Sequence, residues 1–62
     1  MNILENLKEL EDNWMHKTRA EKVNGVRTAV VDLNSKIYYD EITKDEMLEI
    51  TQKINHLMLF LL

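Results

Sequence analysis

Asp12 and His16 are the pair of side chains whose types and spacing come nearest to a metal site. Residues four apart lie on one face of an α-helix, and Glu9 falls on the same side. Protein sites for transition metals usually combine three or four such ligands, yet the chain has no cysteine and only one other histidine, His56. A solvated ion pair explains Asp12 and His16 better, so we expect no metal and no cofactor.

The only serine, Ser35, is the next candidate for chemistry. A nucleophilic serine needs a base to activate it, and neither histidine is near Ser35 in the sequence. Substrate pockets usually occupy about 300–1,000 Å³, which a chain of 62 residues cannot readily enclose. We therefore expect no catalytic residue and no enzymatic activity.

Positive charge is concentrated in residues 16–22 and just beyond. Cationic side chains can contact nucleic-acid phosphates, and the neighbouring Trp14 could stack on a base. The formal net charge of −3 argues against this function, because nucleic-acid-binding domains are usually basic. The pattern favours a solvated face paired with acidic residues, and nucleic-acid binding stays the alternative function. Its candidate residues are Lys17, Arg19, Lys22 and Arg27.

The first part of the chain has the apolar periodicity of an amphipathic helix. Apolar residues recur at intervals of four, three and four, at Ile3, Leu7, Leu10 and Trp14. Leu4 and Met15 widen this stripe. Asn2, followed three residues later by Glu5, is typical of a capping box at a helix start. We predict a helix over residues 2–22.

The middle of the chain, after a break at Asn24-Gly25, has two interpretations. As a helix, it places one apolar stripe at Val23, Val26, Val30, Leu33 and Ile37. Its β-branched and aromatic residues instead favour a hairpin that turns at Asn34-Ser35, but an isolated hairpin is barely stable. We predict a helix over 26–40, with a central β-hairpin between two helices (an α+β fold) as the alternative. Of Tyr38 and Tyr39, we expect one to face the core and the other to face water.

The last segment has the clearest helix signals. Thr43 and Glu46 form a capping box, and Ile42 with Met47 is a candidate hydrophobic staple. A heptad-like apolar seam follows at Met47, Ile50, Ile54, Leu57 and Leu61. We predict a helix over 44–62.

The final six residues are all apolar, and a helix distributes them over two sides. At about 100° per residue, Leu57, Met58 and Leu61 fall on the core seam. Leu59 and Leu62 point to the opposite side, and Phe60 points to a flank. A single small bundle cannot cover all six. We therefore expect self-association through Leu59, Phe60 and Leu62.

Length and composition narrow the class of protein. The 62 residues allow one small domain, 1–62, which is marginal as a monomer and has no cysteine for a disulfide. No targeting segment is apparent, and the apolar end is shorter than the roughly 20 residues that span a bilayer. We expect a cytoplasmic protein without membrane association. The excess of Lys over Arg, with frequent Asn and Ile, is typical of AT-rich bacterial and phage genomes.

These features together predict an all-α chain, a small three-helix bundle or helical hairpin, that is oligomeric through its C-terminal helix. We interpret it as a non-catalytic protein–protein interaction module, a bacterial or phage regulator or inhibitor of a larger protein. The partner is expected at the acidic residues Glu5, Glu9 and Asp12, or at the basic residues from 16 to 28.

Overall fold

The chain folds into three α-helices, which a computed structural model describes over residues 2–61. They are α1 (Ile3–Asp12), α2 (Arg19–Tyr38) and α3 (Lys44–Leu59), with a 3-10 helix at Trp14–His16 after α1. All three α-helices pack against one another, and the bundle measures 34 × 20 × 16 Å. Within the described residues there is no strand, so the all-α prediction is confirmed and the central hairpin is wrong.

The first break between α-helices spans residues 13–18 and does not lie at Asn24-Gly25. The Thr18 hydroxyl accepts a hydrogen bond from the Glu21 N–H at 3.2 Å, and the Glu21 carboxylate accepts one from the Thr18 N–H at 3.0 Å. This capping box starts α2 at Arg19, and the helix then continues through Asn24-Gly25. The prediction of one helix over 2–22 is therefore wrong, and the middle helix is longer than predicted.

Gly25 serves the contact between α1 and α2. A Cβ atom built on Gly25 would lie 2.8 Å from both terminal carbons of Leu10 in α1. That is closer than van der Waals contact allows, so the absence of a side chain lets the two helices approach. Gly25 has helical backbone and no positive φ, which is why the expected turn does not form there.

α1 begins and packs as its sequence predicts, but its apolar stripe ends early. The Asn2 side chain accepts a hydrogen bond from the Glu5 N–H at 2.8 Å, which confirms Asn2 as the N-cap. Trp14 is half-buried against the core. Met15, however, is 91% exposed, because the chain leaves α-helical geometry after Asp12 and the helical periodicity no longer applies.

The turn between α2 and α3 is a Schellman motif. Asp40 has a φ of 55°, in the left-handed region. The Asp40 N–H donates to the Ile37 carbonyl at 3.1 Å, and the Glu41 N–H donates to the Lys36 carbonyl at 2.9 Å. The Lys36 ammonium also lies 3.1 Å from the Glu41 carboxylate. These bonds satisfy the last carbonyls of α2 and turn the chain back into α3.

α3 starts as predicted and ends earlier. The Thr43 hydroxyl accepts from the Glu46 N–H at 3.2 Å, and the capping box is complete. Ile42 and Met47, on either side of this cap, both pack against the core. The helix ends at Leu59, so the predicted bound of 62 is too long within the described residues.

The core is small and draws on all three helices. Its buried members are Ile3, Leu7, Leu10, Val26, Ala29, Leu33, Ile50, Ile54 and Leu57. The predicted stripe of α2 is only partly buried, because Ala29 occupies the centre of the core face while Val23, Val30 and Ile37 lie on its edge. Tyr38 and Tyr39 are both exposed and pack edge to face, with ring centroids 5.0 Å apart, so the prediction of one buried tyrosine is wrong.

Candidate protein interface

The C-terminal end of α3 presents apolar side chains to solvent. Leu57 is fully buried, and Leu61 is half-buried against the core. Leu59 is 67% exposed and Phe60 is 63% exposed. Met58 is 46% exposed, so its predicted place in the core is wrong. The orientation predicted for Leu59 and Phe60 is confirmed, whereas Leu62 lies outside the described residues.

Phe60 belongs to an open aromatic cleft between α3 and the 3-10 helix. The rings of His56 and Phe60 meet edge to face, with centroids 5.3 Å apart. Trp14, Met15 and Leu57 line the rest of the cleft, with Glu11 at its rim. Most of the Met15 side chain is in solvent. The exposed apolar surface therefore continues from the end of α3 onto the turn that follows α1.

A second apolar surface runs along α2. Val23, Val30 and Ile37 are separated by seven residues each, so they lie in one line along the helix. All three are exposed, between 37% and 45% of each residue. These three residues are not part of the core, which lies on the neighbouring face of α2. In the sequence, only the helical spacing of these residues indicated the surface.

The acidic candidates form one face of α1. Glu5, Glu9 and Asp12 are all exposed. Their spacing of four and three residues keeps them within about 60° of one another around the helix axis. This face therefore combines three carboxylates on one rigid element.

The basic candidates do not converge on one surface. Lys17 follows the 3-10 helix, Arg19 is the first residue of α2, and Arg27 lies two turns further along. The ammonium of Lys22 lies 5.2 Å from the centre of the Trp14 ring, in a cation–π contact. Trp14 thus has a cation on its ring and the core beside it, which leaves it poorly placed to stack on a base.

An ion pair ties the end of α1 to α3 near the aromatic cleft. The Lys53 ammonium lies 2.9 Å from the Glu11 carboxylate, and both side chains are about one-third exposed. This hydrogen bond, helped by the positive charges of Lys53 and His56, lowers the pKa of Glu11 from its ordinary value. At the start of α2, hydrogen bonds from Thr18 lower the pKa of Glu21 in the same way.

The side chains singled out for chemistry in the sequence are not brought together in the described residues. Within residues 2–61, no three side chains of His, Cys, Asp or Glu are grouped to hold a metal ion, and Asp12 and His16 have no third ligand beside them. Ser35 is exposed on α2, in a cleft with Asn2, Asn6 and Asp32 and without a histidine. No helix in this part of the chain has the length and apolar content needed to cross a membrane.

Comparison of the chain with known protein families, with curated proteins and with solved structures gives no match.

Sequence reasoning missed two features of this region. The segment Thr18-Arg19-Ala20-Glu21 has the capping-box pattern that starts α2. The boundary was instead predicted at Asn24-Gly25, because this pair is typical of a turn. The cleft around Trp14 and Phe60 has no local signal, because its two sides are more than 40 residues apart in the chain.

Proposed function

We propose that this chain is a small, non-catalytic protein-interaction module that self-associates through the C-terminal part of α3 and regulates or inhibits a larger protein by covering its surface. The observation that carries the proposal is the exposure of Leu59 and Phe60, at 67% and 63%, on a helix whose other side forms the core. Contiguous exposed apolar surface of this kind is typical of protein interaction sites.

The energetics favour association. A chain of this length buries about 60% of the surface that its unfolded form exposes, which leaves a marginal fold. Covering an exposed leucine or phenylalanine is worth roughly 1.5–3 kcal/mol. A standard interface buries about 800 Å² per partner. That corresponds to about one-sixth of the 4818 Å² surface of the chain.

The acidic face of α1 supports a second contact, with the larger protein. Glu5, Glu9 and Asp12 are exposed together on α1, a different helix from the one proposed for self-association, so a dimer can present two such faces. Their charge suits a basic partner surface, where complementary charge accelerates encounter and selects the partner. We propose to seek this partner protein in a bacterial or phage source, which the composition favours. Pull-down from that source should lose the partner when Glu5 and Glu9 are both replaced by Lys.

Self-association is tested by sedimentation velocity on Leu59→Glu beside the unmodified chain. A charge at this position should weaken association by about tenfold to a hundredfold, as expected for losing 1.5–3 kcal/mol of apolar burial. Asn24→Glu, at an exposed polar residue on another side of α2, is the control and should change little. If the two variants and the unmodified chain sediment alike as monomers, self-association through this helix is wrong.

Nucleic-acid binding is the rival function, and a salt titration with duplex DNA separates the two. Steep salt dependence that is lost in Lys17→Ala/Arg19→Ala would replace our proposal with the rival. Absence of binding at low salt would remove the rival. The divergent placement of the basic residues and the net charge of −3 both favour the second result.

A further inference from the structure

The exposed line Val23, Val30 and Ile37 lies on the flank of α2 that faces away from α1. Gly25, against which α1 packs, and Val30 lie on opposite sides of the buried residue Val26 when α2 is viewed down its axis. The line is therefore free of α1 and borders the side of α2 where α3 packs. We call these three residues the α2 stripe.

The two ends of α2 carry opposite charge. Residues 17–22, at its start, hold Lys17, Arg19 and Lys22 against Glu21 alone. Lys17 and Lys22 lie toward α1 and Trp14, so Arg19 is the cation on the side of the α2 stripe. Residues 39–46, just beyond its end, hold four carboxylates against Lys44, and these are Asp40, Glu41, Asp45 and Glu46. A helix of 20 residues separates the two groups by about 30 Å. A second copy placed parallel would bring like charges together, and an antiparallel copy would bring opposite charges together.

We propose that a second copy of this chain covers the α2 stripe, with the two α2 helices antiparallel about a two-fold axis at Val30. The proposal rests on the self-association proposed above and specifies its geometry. Around this axis Val30 meets Val30 of the second copy, and Val23 meets Ile37. Such reciprocal pairing is what a two-fold interface requires.

The same register pairs the charges at the ends of the stripe. Arg19 lies four residues before Val23, and Glu41 lies four residues after Ile37. α2 ends at Tyr38, and Glu41 lies in the turn that follows, beside Lys36. In the antiparallel register, Arg19 of one copy therefore approaches the acidic turn that holds Glu41 of the other, twice in each dimer. Both side chains are exposed and within reach of solvent in the single chain.

The placement of α3 is compatible with the same antiparallel register of the two α2 helices. Its exposed apolar residues are Leu48 near the start and Met58 and Leu59 near the end. An antiparallel second copy brings the start of one α3 toward the end of the other. Leu59 and the α2 stripe then belong to one dimer surface, whereas Phe60 lies in the cleft beside the end of α1.

Cysteine crosslinking tests the register, because the chain has no cysteine of its own. A disulfide needs Cα atoms about 4.4–6.8 Å apart, so Val30→Cys on the axis should crosslink two copies under mild oxidation. Since paired thiols in a dimer face each other at millimolar effective concentration, we expect crosslinking about tenfold faster or more than for Asn24→Cys. Asn24 is exposed on another side of α2 and is the matched control.

Two further variants distinguish an antiparallel dimer from a parallel one. Val23→Cys alone should not crosslink, whereas Val23→Cys/Ile37→Cys should, and only between copies, because about 21 Å of helix separates the two positions within one chain. Rapid crosslinking of Val23→Cys alone would show a parallel dimer and overturn the proposal.

Charge reversal provides an independent readout. Arg19→Glu and Glu41→Lys should each weaken dimerisation by about tenfold, since each creates two like-charge pairs. An equal mixture of the two variants should regain dimerisation, because both pairs are then complementary. A dimer of the unmodified chain with no Val30→Cys crosslink and no recovery on mixing would overturn this register and leave self-association standing. A monomer at all concentrations would overturn both.

Discussion

Leu10 of α1 lies directly over Gly25 of α2, so close that a Cβ at position 25 would stand 2.8 Å from both of its terminal carbons. Leu10 is buried, and the contact holds the short α1 against the long α2. A glycine inside a helix costs about 1 kcal/mol relative to alanine. This cost is offset by the close approach of the two helices.

Gly25→Ala tests that relationship. In the unmodified chain we expect a net loss of about 1 kcal/mol in the free energy of unfolding, because overpacking costs about 1–3 kcal/mol and exceeds the gain in helix propensity. In a Leu10→Ala background the same change should stabilise by about 1 kcal/mol. Chemical denaturation of the four chains measures the coupling, and purely additive effects would contradict the contact.

Asp40→Gly should stabilise the chain by about 1 kcal/mol, because glycine adopts the left-handed conformation of a Schellman motif without steric cost. Asp40 has a φ of 55°, which lies in this left-handed region. Asp40→Asn removes the charge but tolerates the same φ, so it should have a smaller effect. Asp32→Gly, inside α2, is the control and should destabilise. Thermal unfolding compares the three variants, and a destabilised Asp40→Gly would contradict this description of the turn.

Thr18→Ala should cost about 1 kcal/mol, the usual value of an N-cap hydroxyl. Thr43→Ala removes the equivalent hydroxyl at the start of α3 and should cost about as much. Thr28→Ala is the comparison, since the Thr28 hydroxyl bonds only the Asn24 carbonyl within α2. Urea denaturation with circular dichroism measures all three. If Thr18→Ala were as mild as Thr28→Ala, a helix start at Thr18 would be wrong.

Acid should destabilise the fold through Glu11 and Glu21. Folding lowers the pKa of both carboxyls from the ordinary value of 4.5, through Lys53 for Glu11 and Thr18 for Glu21. Their stabilising contribution is complete above that value and is lost as the pH falls through the lowered pKa. Glu11→Gln should therefore reduce the loss of stability on acidification, measured by urea denaturation at about pH 7 and pH 3. Glu49→Gln, with an exposed carboxyl on α3, is the control.

Local signals predicted much of the fold. The cap at Asn2, the capping box at Thr43 and the seam of α3 all follow from residues close together in sequence, and the structure confirms them. The boundary at Thr18 carried an equally local signal, but Asn24-Gly25 suggested a turn because the sequence does not show that Leu10 packs there. The long-range contacts had no signal at all, as the pair Glu11–Lys53, 42 residues apart, illustrates.

The exposed end of α3 could be predicted in part. The rotation of about 100° per residue in a helix correctly predicted that Leu59 and Phe60 are exposed. It failed for Met58, because the residue lies at the edge of the seam, where the exact packing of α2 decides whether it is covered. Exposure of Val23, Val30 and Ile37 could not be predicted either, since a stripe of five apolar residues does not show which of them face a neighbouring helix.

Sedimentation equilibrium of the unmodified chain, from low to high micromolar concentration, tests self-association most directly. We predict an average mass that rises with concentration from the 7.4 kDa of one chain toward twice that value. A mass that stays at 7.4 kDa over the whole range, in a chain that is helical by circular dichroism, would contradict self-association.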